Sequence, residues 1–99
     1  MEARTEKRGD TLAIYVSGRL DTMSATEFQK IIDNIPDSDA VHVEIDCKAL
    51  DYISSSGLRA FITIMKRTQR NGGETRVVNL NDNVKEVFDM TGFSALFGI

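Results

Sequence analysis

The segment Val41–Phe61, VHVEIDCKALDYISSSGLRAF, decides how the rest of the chain is read. Its first six residues alternate: Val41, Val43 and Ile45 fall on one side of a strand, His42, Glu44 and Asp46 on the other. Period two over this length is the pattern of a strand with one face buried and one face wet. A sheet covered by helices on both faces would show unbroken apolar strands instead. The alternation therefore argues against a doubly wound nucleotide-binding sheet and for helices mainly on one face. The segment then runs through three consecutive hydroxyls, Ser54, Ser55 and Ser56, into Gly57 and an apolar helical pattern. One helix cap uses one hydroxyl, so two are left over.

Working outward, TLAIYVSG (Thr11–Gly18) also alternates, with Leu12, Ile14 and Val16 on one face and Ala13 and Tyr15 on the other; TRVVNL (Thr75–Leu80) is a further strand. The polar run Glu2–Arg8 is placed as an edge strand that turns at Gly9 and Asp10. SATEFQKIIDNI starts a helix at Ser24, with Glu27 at capping-box spacing and Met23 placed to staple onto Phe28. Its apolar stripe is Phe28, Ile31, Ile32 and Ile35, and Pro36 stops it. GLRAFITIMKRTQRNGG is a second helix with Leu58, Phe61, Ile62 and Met65 inward, Arg67 and Arg70 in the last turn, and Gly72-Gly73 as terminator. NDNVKEVFDMTG is a third, with Val84, Val87 and Phe88 inward, and the apolar tail FSALFGI folds back onto the core. The expected fold is α/β: a mixed sheet of about four strands with helices packed mainly on one face, in the order β-β-α-β-α-β-α. Parallel strands are joined by right-handed crossovers, and residues 1–99 form one domain.

Twelve basic against fifteen acidic residues give a net charge of -3, which argues against nucleic acid as a direct partner. No apolar run approaches the roughly 18 residues of a membrane span, and Met1–Asp10 carries no signal-peptide core, so no membrane insertion is expected. The single cysteine, Cys47, has no internal disulfide partner, which fits a cytoplasmic protein.

Catalytic arrangements are few. His42, the only histidine, lies on the wet side of its strand and reads as a surface residue. Nothing near Cys47 in sequence lowers its thiol pKa. Asp21, Asp46 and Asp51 fall at strand ends, where turn and cap duty accounts for each more simply than a cation does. Gly57 stands alone and Gly72-Gly73 follows a helix, so neither phosphate-binding fingerprint is present. No enzyme activity, cofactor or metal is expected.

The loop CKALDYISSSG leads from the carboxyl end of a strand to a helix, the edge at which open α/β sheets receive ligands and partners. Ser54 or Ser55 is placed to cap that helix, and Gly57 leaves backbone uncovered in its first turn. Capping alone is the simpler reading of the loop by itself; modification of a spare hydroxyl is the other. A phosphate there carries about -1.5 to -2 charges. At a helix N-terminus it gains roughly 0.3–1 kcal/mol, so the domain tolerates it, whereas a partner docked on the loop must bury a dianion.

GRLDTMSATEF, VEIDCKALDYISSSGLRAF, the Gly72-Gly73 pair before ETRVVNL, and VKEVFDMTGFSALF occur here in an order and spacing that resembles the STAS domain. Within it, the chain is similar to the single-domain bacterial anti-sigma factor antagonists. That resemblance implies a partner switch. The unphosphorylated protein binds an anti-sigma factor that is also a serine kinase, phosphorylation releases it, and a PP2C-type phosphatase restores it. Matched residue by residue, the acceptor is Ser55, with Ser56 and Ser54 as alternates. The partner-binding surface is then Asp21, Ser54, Ser55, Ser56, Gly57, Leu58 and Arg59, with Asp21 helping to present the loop. Many members carry aspartate just before the acceptor, where this chain has Ser54. A monomer or weak dimer is expected. The alternative is a constitutive STAS scaffold subunit of a transporter or multi-protein sensor, in which Arg59, Thr63, Lys66 and Arg70 form the contact face.

Overall fold

Leu12, Ile14 and Val16 are almost wholly buried, and they make β2 (Thr11–Leu20) the strand around which the sheet is built. The computed structural model describes residues 1–99 throughout. The antiparallel partner of β2 is β1 (Glu2–Arg8), with Glu2 opposite Ser17 and Arg8 opposite Thr11. On its parallel side β3 (His42–Asp46) sets Val43 opposite Leu12 and Ile45 opposite Ile14. A fifth strand, β4 (Leu50–Ile53), follows a tight turn in which the Lys48 amide donates to Asp46 and the Leu50 amide to Cys47. It pairs in parallel with the end of β2, Leu20 opposite Ile53. Then β5 (Glu74–Val78) pairs in parallel with β3, giving the order β1-β2-β3-β5 with β4 beside β2. The extra strand is four residues long and buries only its ends, Leu50 and Ile53, so it shows no alternation to read.

The helices are α1 (Thr22–Asp33), α2 (Ser55–Arg70), α3 (Asp82–Thr91) and the short α4 (Phe93–Phe97) of the apolar tail. Ser24 does not begin α1. Asp21 is its cap, accepting from the Ser24 amide at 2.9 Å while the Asp21 amide donates to the Ser24 hydroxyl at 2.9 Å. An aspartate directly after the strand supplies a charged acceptor, and the capping box closes earlier than Glu27 would allow. Met23 is consequently 86% exposed and makes no staple on Phe28. On α2 the buried stripe is Leu58, Phe61, Ile64 and Thr68, whereas Ile62 and Met65 are half-buried. Thr68 belongs inside because its hydroxyl bonds the Met65 carbonyl and the Thr75 hydroxyl, 2.9 and 2.7 Å away. Val84 and Phe88 are buried on α3, with Val87 half-buried.

All four helices cover the same face of the sheet. Phe28, Phe61, Phe88 and Phe97, one from each, form a chain of tilted and edge-on rings with centroids 5.9, 6.0 and 6.0 Å apart. The opposite face is polar: Glu44 is bridged by Arg8 and Arg76, and the Arg4 guanidinium lies 4.3 Å from the Tyr15 ring. Helices on one face of a mixed sheet are what the alternation of VHVEID requires. No helix is long and apolar enough to cross a membrane.

Candidate functional site

The ends of β2 and β4 meet where Leu20 stands opposite Ile53, and the Ser54 amide donates to the Leu20 carbonyl at 2.9 Å. Each strand passes straight into a helix, so the N-termini of α1 and α2 emerge side by side. Each carries its own capping acceptor, Asp21 on α1 and Ser54 on α2. The Ser54 hydroxyl accepts from the Gly57 amide at 3.2 Å and is committed to the cap. Gly57 is buried rather than uncovered: a Cβ there would lie 2.9 Å from Ile53 Cγ1 and from Leu20 Cγ and Cδ2. Only glycine lets α2 start this close to both strands.

The other two serines differ from Ser54 and from each other. Ser55 is exposed, and its hydroxyl makes no hydrogen bond. Ser56 is half-buried and turned towards α1, where it shares a groove of about 440 Å³ with Thr22, Ala25 and Thr26. Leu58 is buried beneath them, and Arg59 is exposed one turn beyond Ser55. The solvent-facing surface at this corner therefore comes from Asp21, Ser54, Ser55, Ser56 and Arg59, with Gly57 and Leu58 shaping it from below. Its polarity comes from fixed groups. The Asp21 carboxyl is held below the usual carboxylate range, first by the Ser24 amide and then by the Ser24 hydroxyl.

Three residues of this corner are missed by sequence reasoning. Met23, freed from the expected staple, stands exposed beside Asp21. Arg19 and Tyr52, opposite each other in the β2–β4 pairing, stack with the guanidinium 4.3 Å from the ring centroid. Their pairing has no local signal because it exists only once β4 is placed.

The remaining candidates do not gather. Asp46 accepts from the Lys48 amide and the Asn79 side chain, Asp51 is exposed, and Asp21 is engaged in its cap. No three His, Cys, Asp or Glu side chains lie together as ligands would. Cys47 is buried, and desolvation, helped by the Asp46 charge, pushes its thiol up to about 12, leaving it protonated. His42 is half-buried on the polar face. What the corner offers chemically is a free hydroxyl in the first turn of α2, with exposed Met23 in the first turn of the neighbouring α1 and the stacked Arg19–Tyr52 pair on the strands that lead into both helices.

The family model described as STAS domain matches residues 2–99. A candidate anti-sigma factor antagonist, BtrV, of Bordetella bronchiseptica is 28% identical over 99 residues, covering 100% of this chain and 85% of that protein. The anti-sigma-B factor antagonist of Bacillus subtilis is 25% identical over 88 residues, covering 89% and 80%. The anti-sigma factor antagonist SpoIIAA in its unphosphorylated form superposes with a TM-score of 0.77 at 18% identity, covering 99% of this chain and 98% of that one. The phosphorylated form of SpoIIAA, from Bacillus, gives 0.73 at 21% identity, covering 95% and 86%.

Proposed function

The chain belongs to the STAS domain family, and on that premise we propose that it is an anti-sigma factor antagonist whose partner is released when Ser55 is phosphorylated. The partner is an anti-sigma factor that is also a serine kinase, a PP2C-type phosphatase reverses the modification, and the exchange takes place in the cytoplasm. The observation that carries this reading is the contrast among the serines: Ser54 is spent on the helix cap, Ser56 leans on α1, and Ser55 alone is exposed with an unbonded hydroxyl. The names of the relatives support the class, and the existence of the fold in unphosphorylated and phosphorylated forms supports the mode of control.

The physical basis is an asymmetry. A phosphate on Ser55 stands over the first free N–H groups of α2 and the positive end of its dipole, which favour an anion. The fold accepts it. A partner seated on Met23, Tyr52 and the serine loop must bury the same dianion against a surface fitted to a neutral hydroxyl, and that contact is lost. Asp21 lies beside the loop but is engaged with Ser24, so its part is to fix the start of α1 next to the serines rather than to exchange protons. Ser54, where relatives of this type often carry aspartate, leaves one less negative charge in front of the acceptor.

Incubation with the cognate kinase and ATP, followed by mass spectrometric location of the phosphate, tests the assignment. Phosphate on Ser55 is expected; an unmodified Ser54–Ser56 segment would overturn it.

A further inference from the structure

Strand β1 is the outer strand of the sheet, with β2 on one side and no strand on the other. Every residue in it except Ala3 is exposed. Such an edge presents a row of backbone N–H and C=O groups to any strand of matching register. The β1 sequence, EARTEKR, is charge-complementary to itself. Side chains alternate along a strand, so Glu2, Arg4, Glu6 and Arg8 share one face and Ala3, Thr5 and Lys7 the other. In two antiparallel copies centred on Thr5, Arg4 faces Glu6, Glu2 faces Arg8 and Ala3 faces Lys7, and two-fold symmetry repeats each pair. Opposite charges directly across a strand pair stabilise it and like charges destabilise it.

Other registers fail this test. Centring the pair on Arg4 sets Arg4 against Arg4 and Glu2 against Glu6. Centring it on Glu6 sets Glu6 against Glu6 and Arg4 against Arg8. A slide of one residue turns the polar face of one copy to the helix-covered side of the other. The isolated chain also leaves the acids of β1 unused. Lys7 pairs with Asp39 and Arg8 with Glu44, whereas Glu2 and Glu6 take part in no ion pair. Arg8 is 51% exposed, and its remaining N–H groups are free for a second carboxylate.

We propose that two copies of this chain associate through β1 about a two-fold axis at Thr5, joining their sheets into one. The charges that keep foreign strands off this edge select its own copy. The pairing uses no residue of the serine loop, so it stands or falls separately from the phosphorylation reading.

Sedimentation equilibrium of the full chain from micromolar to millimolar concentration tests it, with wild type, Arg4→Glu and Glu6→Arg run singly and the two variants mixed. Wild type is expected to dimerise, more weakly as salt rises. Each variant alone sets like charges across the seam and weakens association about tenfold or more. The mixture restores opposite charges at both positions and associates like wild type. Wild type that stays monomeric at millimolar concentration overturns the proposal. So does single-variant association equal to wild type, or a mixture that associates no better than its components.

Discussion

The amide of Ser54 donates to the carbonyl of Leu20 across 2.9 Å, and through that bond the start of α2 is tied to the end of β2, one residue before the α1 cap at Asp21. The serine loop is therefore fixed to the sheet at its first residue. The Ser55 side chain projects from a rigid corner, and a change to it alters what the corner presents without reaching the core.

Replacing Ser55 separates size from charge. Ser55→Ala removes an exposed, unbonded hydroxyl and should leave both thermal stability and partner affinity at wild-type level. Ser55→Asp, with a carboxylate in the contact, should weaken partner binding about tenfold or more, about 1.4 kcal/mol, with the fold unchanged. Isothermal titration of both variants against the anti-sigma factor reads this directly; equal affinities would contradict an interface at Ser55.

Ser54 carries a different duty. Ser54→Ala removes the acceptor of the Gly57 amide and should cost about 1 kcal/mol of stability. In a domain of this size that lowers the thermal midpoint by roughly 4–8 °C. Phosphate should still arrive on Ser55, since Ser54 is structural. Loss of phosphorylation in a folded Ser54→Ala protein would reassign the acceptor.

Gly57→Ala sets an enthalpic clash against a gain in helix propensity. The added Cβ meets Ile53 and Leu20 at 2.9 Å, and overpacking of this kind costs about 1–3 kcal/mol, more than the roughly 1 kcal/mol that alanine returns in a helix. A net loss is expected in urea unfolding. Gly73→Ala should be worse, because its Cβ would fall 1.8 Å from the Val41 carbonyl oxygen, which accepts from the Glu74 amide at the start of β5. A Gly57→Ala protein as stable as wild type would mean that α2 is free to move off the strands.

Arg67 and Asp37 set the response to acid. Arg67 donates to the Ile32 and Ile35 carbonyls at the end of α1 and to the Asp37 carboxylate at 2.8 Å. That pairing holds the Asp37 carboxyl below its usual value, the Ser24 amide holds Asp21 down, and the Ser94 hydroxyl, then Lys85, hold Asp89 down. Depressed carboxylate values mean that the folded chain binds fewer protons than the unfolded one. The stability they contribute is present above the ordinary carboxylate range and is lost as pH falls through the folded values. Urea midpoints should be level near neutrality and fall below about pH 4, less steeply in Asp37→Asn. Arg67→Ala should cost about 2 kcal/mol at neutral pH, chiefly from the Ile35 carbonyl left without a donor, since the Ile32 carbonyl keeps the Ile35 amide.

Much of this molecule is legible in its residues, and the failures share a cause. The alternation of Val43 and Ile45 with Glu44 and Asp46 is a periodic signal, and it correctly sets helices on one face. Phe28, Phe61 and Phe88 sit at helical spacing and are found in the core. Asp21 is legible as part of a motif, but the sequence points to Ser24 as the cap, because two acceptors within four residues both satisfy a cap and only the strand end decides between them. β4 escapes notice because four residues that bury only their ends carry no period. Tyr52, Arg19 and Met23 escape with it, since their exposure at the corner follows from a strand pairing and a cap that only the folded chain reveals. The tilt of the α2 stripe from Met65 to Thr68 was hidden by polarity: a threonine reads as surface until a partner hydroxyl is found at Thr75.

The most direct measurement compares two affinities and two melting curves: the unmodified chain and the chain phosphorylated stoichiometrically on Ser55, each titrated into the anti-sigma factor and each unfolded alone. Binding should fall by about 100-fold or more, about 2.7 kcal/mol, while the thermal midpoint stays at or slightly above its unmodified value. Phosphorylated chain that binds as tightly as before, or that loses its partner only because it has itself unfolded, would contradict the account.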